Sequence, residues 1–205
     1  PKPYTYGLRG TPTSKAFENA VASLYEADTC ISTCSGLSAI STAILSVVKS
    51  GEHALFPDSL YGSSRHFVKT LLIDFGIEVE FYPPRINRRI TEHFKENTRL
   101  LYLESPGSLT FEVQDVPTMS TLARKHNIVT ICDDTWGTAL HYPVLALGAD
   151  IVVEAATKYI AGHSDVNLGI AAANGTIGKK LKSTAGALGI CAGPEDLYLG
   201  LRGLR

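Results

Sequence analysis

The amino-acid sequence predicts an α/β fold, a mostly parallel sheet with helices on both faces. Three observations predict it. Strand-length apolar runs alternate with segments of helical period almost from end to end. Two of those runs, Ile128-Val129-Thr130-Ile131-Cys132 and Asp150-Ile151-Val152-Val153, are nearly all apolar, as strands buried on both faces are. No internal repeat or low-complexity linker breaks the alternation; the pattern fades only near residues 189–194.

Taken in order, residues 14–27 put Ala16, Phe17, Ala20, Val21, Leu24 and Tyr25 on one helical face, with Thr13 or Ser14 as N-cap. Residues 29–33 are short and β-prone. Helical spacing returns over 36–49 through Leu37, Ile40, Ile44, Leu45 and Val48. Residues 53–56 read as a strand closed by Pro57-Asp58, and 64–75 as a helix stopped by Gly76. A strand over 78–82, a short helix over 90–95 and a strand over 99–103 follow. A helix over 116–126 then precedes the two apolar strands. A further strand at 169–173 and a helix at 177–188 lead into a loose end containing glycine and proline.

Composition narrows the function. A chain of 205 residues, 44% apolar and 19% charged, has ample core material for one large domain, or one and part of a second. A net charge of −1 argues against a nucleic-acid partner, because no basic excess exists to neutralise phosphates. The basic groups at 85–89 and 179–182 read as solvated helix faces or ends. Cys30, Cys34, Cys132 and Cys191 form no C-x-x-C pair, so no zinc site is expected; three lie in apolar or small-residue surroundings and read as buried free thiols of a reducing compartment. No run is apolar enough to span a membrane, and no secretory signal is seen, so a cytoplasmic location is expected. The chain starts at Pro1 and stops at Arg205 in mid-pattern.

Chemistry concentrates where strands end. Asp133 follows the first apolar strand and Lys158 stands just beyond the second, and ligand sites in open α/β sheets lie at the carboxyl ends of strands. An acid and an amine facing one pocket suit pyridoxal 5'-phosphate (PLP), which uses a lysine for its Schiff base and a carboxylate for its pyridinium nitrogen. Singly, each residue is more simply a solvated lysine or a turn aspartate; the constellation carries the argument. Ser35-Gly36-Leu37 joins a strand to a helix, and N–H groups there suit a phosphate. Tyr61 follows another strand and offers a ring to stack on a planar cofactor, and Thr157 offers a hydroxyl. The dinucleotide fingerprint G-x-G-x-x-G and the P-loop are both absent.

With these pieces assembled, the chain resembles the Cys/Met-metabolism PLP enzymes. The matching stretches are Tyr6-Gly7-Leu8-Arg9-Gly10-Thr11-Pro12-Thr13, Ser35-Gly36-Leu37-Ser38-Ala39, Glu104-Ser105-Pro106-Gly107-Ser108, Asp133-Asp134-Thr135-Trp136 and Ala155-Ala156-Thr157-Lys158-Tyr159, with Gly162-His163-Ser164-Asp165 after it. They cover essentially the whole chain, and the pair Asp-x-Thr-Trp and Ala-Thr-Lys-Tyr is the most specific. The resemblance implies the aminotransferase-like large domain of fold type I over residues 1–205, with an N-terminal arm at about 1–13 and a C-terminal small domain beyond this chain that supplies the arginine for the substrate's α-carboxylate.

It also implies roles. Lys158 holds PLP and acts as base on the substrate's Cα proton, its neutral form favoured by burial beside cationic or apolar groups. Asp133 keeps the ring nitrogen protonated, and Tyr61 stacks on the ring. Gly36, Leu37 and Thr157 hold the phosphate. Tyr6 reaches a neighbouring subunit's site, so a homodimer or homotetramer with shared sites is implied. Arg9 and Ser108 face the substrate, a sulfur amino acid. Leu8 stands where the family carries a phosphate-binding arginine. Glu-Ser-Pro-Gly-Ser and Ala-Ala-Thr-Lys-Tyr are similar to the branch that cleaves cystathionine by β-elimination to homocysteine, pyruvate and ammonia. The alternatives are a γ-type lyase or synthase of the same family, and a truncated module that binds PLP without catalysis.

Overall fold

The computed structural model describes residue 4 and residues 6–205. Seven strands form one sheet in the order β1-β7-β6-β5-β4-β2-β3: β1 (Thr29–Thr33), β2 (His53–Pro57), β3 (Glu78–Tyr82), β4 (Thr98–Glu104), β5 (Val129–Asp133), β6 (Ile151–Glu154) and β7 (Gly169–Ala173). The four pairings from β3 across to β6 are parallel, and β7 runs antiparallel to both of its neighbours. The expectation of a mostly parallel sheet therefore holds. What a Gly-Ile-Ala-Ala-Ala run does not carry is its direction, which is set by the tertiary pairing.

Helices cover both faces. On one lie α1 (Pro12–Leu24), α4 (Val116–Lys125) and α7 (Pro194–Gly203), packed through Phe17, Val21, Met119, Ala123 and Leu197. On the other lie α2 (Gly36–Val47), α3 (Gly62–Phe67) and α6 (Gly175–Ala187), packed through Ile40, Ile44, Val47, Phe67 and Leu181. Side chains alternate along a strand, so Cys132 and Val152 serve the first core while Ile131 and Val153 serve the second. A short helix, α5 (Thr138–His141), which the sequence did not suggest, follows the β5 turn.

Several expectations need correcting. The first helix begins at Pro12 with Thr11 as its cap, not Thr13 or Ser14. Thr11 and Ser14 form a reciprocal capping box, and proline at the first helical position needs no N–H partner. The segment after Gly62 is not uniformly α-helical: Val68–Leu72 widens into a π turn. The short helix of the 90–95 region is a 3-10 helix at Asn87–His93. The C-terminal end is not loose, because Pro194 opens α7 and Leu197 buries against α1. Only two cysteines, Cys30 and Cys132, are buried; Cys34 and Cys191 are exposed.

The crossover matters for the site. β1 lies at one edge, and the chain then crosses β7, β6, β5 and β4 to reach β2, carried by α2. The helix starts beside the carboxyl end of β6. A side chain at Gly169 would collide with the backbone of Ser35, and a Cβ at Gly36 would lie 2.7 Å from the Ala155 Cβ. Glycine at both positions lets the helix start press against the strand ends. Among the described residues, no helix is long and apolar enough to cross a membrane.

Candidate active site

Asp133 is the last residue of β5, and β5 pairs with β6, whose end leads through Ala155-Ala156-Thr157 to Lys158. Both line one pocket of about 1090 Å³, together with Gly36, Leu37, Tyr61, Glu104, Ser108, Thr135 and Thr157. Sequence proximity alone could not bring these five segments together. The sheet does so by ending its strands at one edge under the start of α2.

The Asp133 carboxylate is anchored rather than free. Its Oδ1 accepts the Thr135 N–H at 3.0 Å and the Thr135 hydroxyl at 2.6 Å, and its Oδ2 accepts the Tyr102 hydroxyl at 3.4 Å. Thr135 is itself fixed, because its Oγ1 accepts the Ala155 N–H at 3.0 Å across to the β6 end. Burial pushes the Asp133 carboxyl above its usual range, while the Thr135 bonds and the charge of Lys158 pull it back toward ionisation. A buried carboxylate with three donors fits a cationic ring nitrogen as partner.

The start of α2 supplies donors. The first N–H groups of a helix have no partner within it. Ser35 Oγ accepts that of Ser38 at 3.1 Å, which leaves the N–H groups of Gly36 and Leu37 in the pocket wall for an anion. Thr157 also lines the pocket, but its hydroxyl already donates to the Leu168 carbonyl at 3.0 Å and accepts the Leu168 N–H at 2.9 Å. Tyr61 is 40% exposed, and the Lys158 Nζ stands 5.6 Å from its ring centroid. Lys158 is exposed. The burial expected for it from the resemblance is not present, because the turn after β6 opens toward the pocket instead of under the sheet.

Two residues escaped the sequence reading. Glu104, in register with Asp133 on the neighbouring strand, accepts the Tyr61 N–H at 2.9 Å and the Ser108 N–H at 2.7 Å. It thereby ties both loops to one carboxyl group. Burial, and next the Asp133 charge, push it up to about 8. Its signal was legible as an acid at a strand end. Thr135 was legible too, as the hydroxyl two residues after an aspartate, the spacing of an Asx turn. Tyr6 and Arg9 are exposed and do not line the pocket of this single chain.

A strand-tip carboxylate, a strand-tip amine and a helix start with open N–H groups make the donor set of a PLP enzyme. The sequence model of the Cys/Met metabolism PLP-dependent enzyme family matches residues 1–205, and the chain belongs to that family. It is 46% identical over 202 residues to a protein named putative cystathionine beta-lyase from Rhizobium johnstonii, covering 98% of this chain and 51% of that protein. It is 39% identical over 202 residues to an L-alanine/L-glutamate racemase from Wolbachia pipientis, covering 98% and 50%. Its fold matches the solved cystathionine gamma-lyase from Lactobacillus plantarum, complexed with L-serine, with a TM-score of 0.95 at 28% identity, covering 99% and 53%. The chain spans about half the length of these relatives.

Proposed function

We propose that residues 1–205 are the cofactor-binding large domain of a PLP-dependent carbon–sulfur lyase. Its reaction would be β-elimination, converting cystathionine and water to homocysteine, pyruvate and ammonia. The observation that carries this reading is the convergence of Asp133 and Lys158 on one pocket beneath the open N–H groups of α2. Bound there, PLP supplies an electron sink that weakens bonds at the substrate's α-carbon.

The chain's own groups divide the remaining work. Lys158 Nζ would hold the cofactor and then move the Cα proton. Asp133, fixed by Thr135, would keep a proton on the ring nitrogen. Tyr61 would cover one ring face. The Gly36 and Leu37 N–H groups would hold the phosphate, with the Thr157 hydroxyl beside them, and Ser108 would face the substrate. Tyr6 and Arg9 would serve the neighbouring subunit of a homodimer or homotetramer, which agrees with their exposure here.

Gly36→Val tests the phosphate cradle. A Cβ at this position meets Ala155, so the helix start must withdraw from the strand ends. The expected outcome, read by equilibrium dialysis, is an affinity for PLP at least about tenfold weaker, the effect of an overpacking cost of roughly 1–3 kcal/mol.

Products from cystathionine decide the reaction of the full-length protein. Pyruvate is expected; 2-oxobutyrate would assign γ-elimination instead. The 39% identity to a racemase favours a second reading, amino-acid racemisation. Loss of optical activity of L-alanine without release of pyruvate from cystathionine would establish that one.

A further inference from the structure

On the face of the sheet opposite the pocket, three polar groups meet inside the first core. Tyr25, Asp134 and Glu154 are buried. The Tyr25 hydroxyl bonds Glu154 Oε2 at 2.6 Å and Asp134 Oδ2 at 3.1 Å. The second oxygen of each carboxyl group, Asp134 Oδ1 and Glu154 Oε1, has no partner among the described residues. The ionisable groups around them are Cys30 from β1, Cys132 and Asp133 from β5, and Tyr142 after α5. Among the described residues no cation pairs with either acid.

One hydroxyl hydrogen cannot serve two carboxylates. The short 2.6 Å contact has the length of an O–H donating to a charged oxygen, so Glu154 takes that hydrogen. The longer contact is then satisfied only if Asp134 carries a proton and donates it to the Tyr25 oxygen. We propose that Asp134, Tyr25 and Glu154 form a one-proton relay, a clamp that ties α1 to the ends of β5 and β6 and positions Asp133 and the Lys158 turn on the opposite face. The sequence places the clamp well for this. Asp134 directly follows Asp133, and Glu154 directly precedes Ala155, whose N–H holds Thr135. The positioning role rests on the PLP reading above; the relay itself does not.

The electrostatics agree. Burial, and next the Glu154 charge, push Asp134 up to about 8, while burial pushes Glu154 up to about 7. Both shifts favour a proton on the pair, and the contact lengths place it on Asp134. A carboxyl group whose folded-state value is raised above its unfolded value binds more protons when folded, so its contribution to stability is lost as pH rises through the folded value. For Asp134 that loss runs from about pH 4 to about pH 8.

Cofactor-free full-length protein, melted between pH 6 and pH 8, reads the relay without reference to PLP. Asp134→Asn can still donate to the Tyr25 oxygen but does not titrate. Its melting temperature is expected to fall less steeply than wild type, by about 1.5 °C per pH unit. Equal slopes for the two proteins would overturn the relay. Positioning is read separately. Tyr25→Phe should weaken PLP binding about tenfold, while Asp134→Asn stays within twofold of wild type. Full PLP affinity in a folded Tyr25→Phe protein would overturn the positioning role; should that variant not fold, full PLP affinity in Glu154→Ala, which removes the acceptor of the Tyr25 hydroxyl, would overturn it instead.

Discussion

Lys158→Ala is expected to lower carbon–sulfur lyase turnover about a thousandfold while leaving the protein folded. Removing a positioned acid–base group costs about 10²–10⁴-fold, and here the same side chain would also hold the cofactor. The fold should tolerate the change. Lys158 is exposed, stands on a turn beyond β6 and makes no ion pair within the described residues. Steady-state assays with and without added amines check it. A variant retaining more than about a tenth of wild-type turnover would remove Lys158 from the chemistry.

Asp133→Asn should separate function from stability. The amide keeps the shape of the carboxyl group and can still accept from Thr135, so the turn survives. It cannot balance a protonated ring nitrogen, and turnover should fall by roughly two to three orders of magnitude, the range seen when one electrostatic partner is lost from a buried site. Stability should move the other way. Burial disfavours the charged carboxylate, so neutralising it removes a strain that function requires. A melting temperature at pH 7.5 equal to or above wild type, with turnover nearly gone, is the expected pair of results. A destabilised but active variant would assign Asp133 to the fold.

Sequence reasoning reached the architecture because apolar period is a local property. β1, β3 and β7 fall where the pattern put them, and the other strands shift by only a residue at an end. What it missed was not local. The antiparallel course of β7 depends on its partners, and α7 was hidden by glycines and a proline that break no helix when the proline stands at its start. Asp133 and Lys158 were legible because they close apolar runs. Their shared pocket follows from β5 and β6 being neighbours, which spacing along the chain suggests but does not fix. Glu104 and Glu154 stand at strand ends and Tyr25 at the end of α1, where their residue types are legible but their shared partners show only in the fold. Lys158 shows the converse: burial inferred from a resemblance did not match the open turn on which it stands.

In the proposed enzyme Lys158 would be the lysine carrying the cofactor opposite Asp133. Borohydride reduction of the PLP-loaded full-length protein, followed by proteolysis and peptide mass analysis, addresses it directly. A pyridoxyl-phosphate adduct on the peptide containing Lys158 and bleaching of the near-violet absorbance band are expected. An adduct confined to any other lysine, or a band that borohydride does not change, would contradict that role.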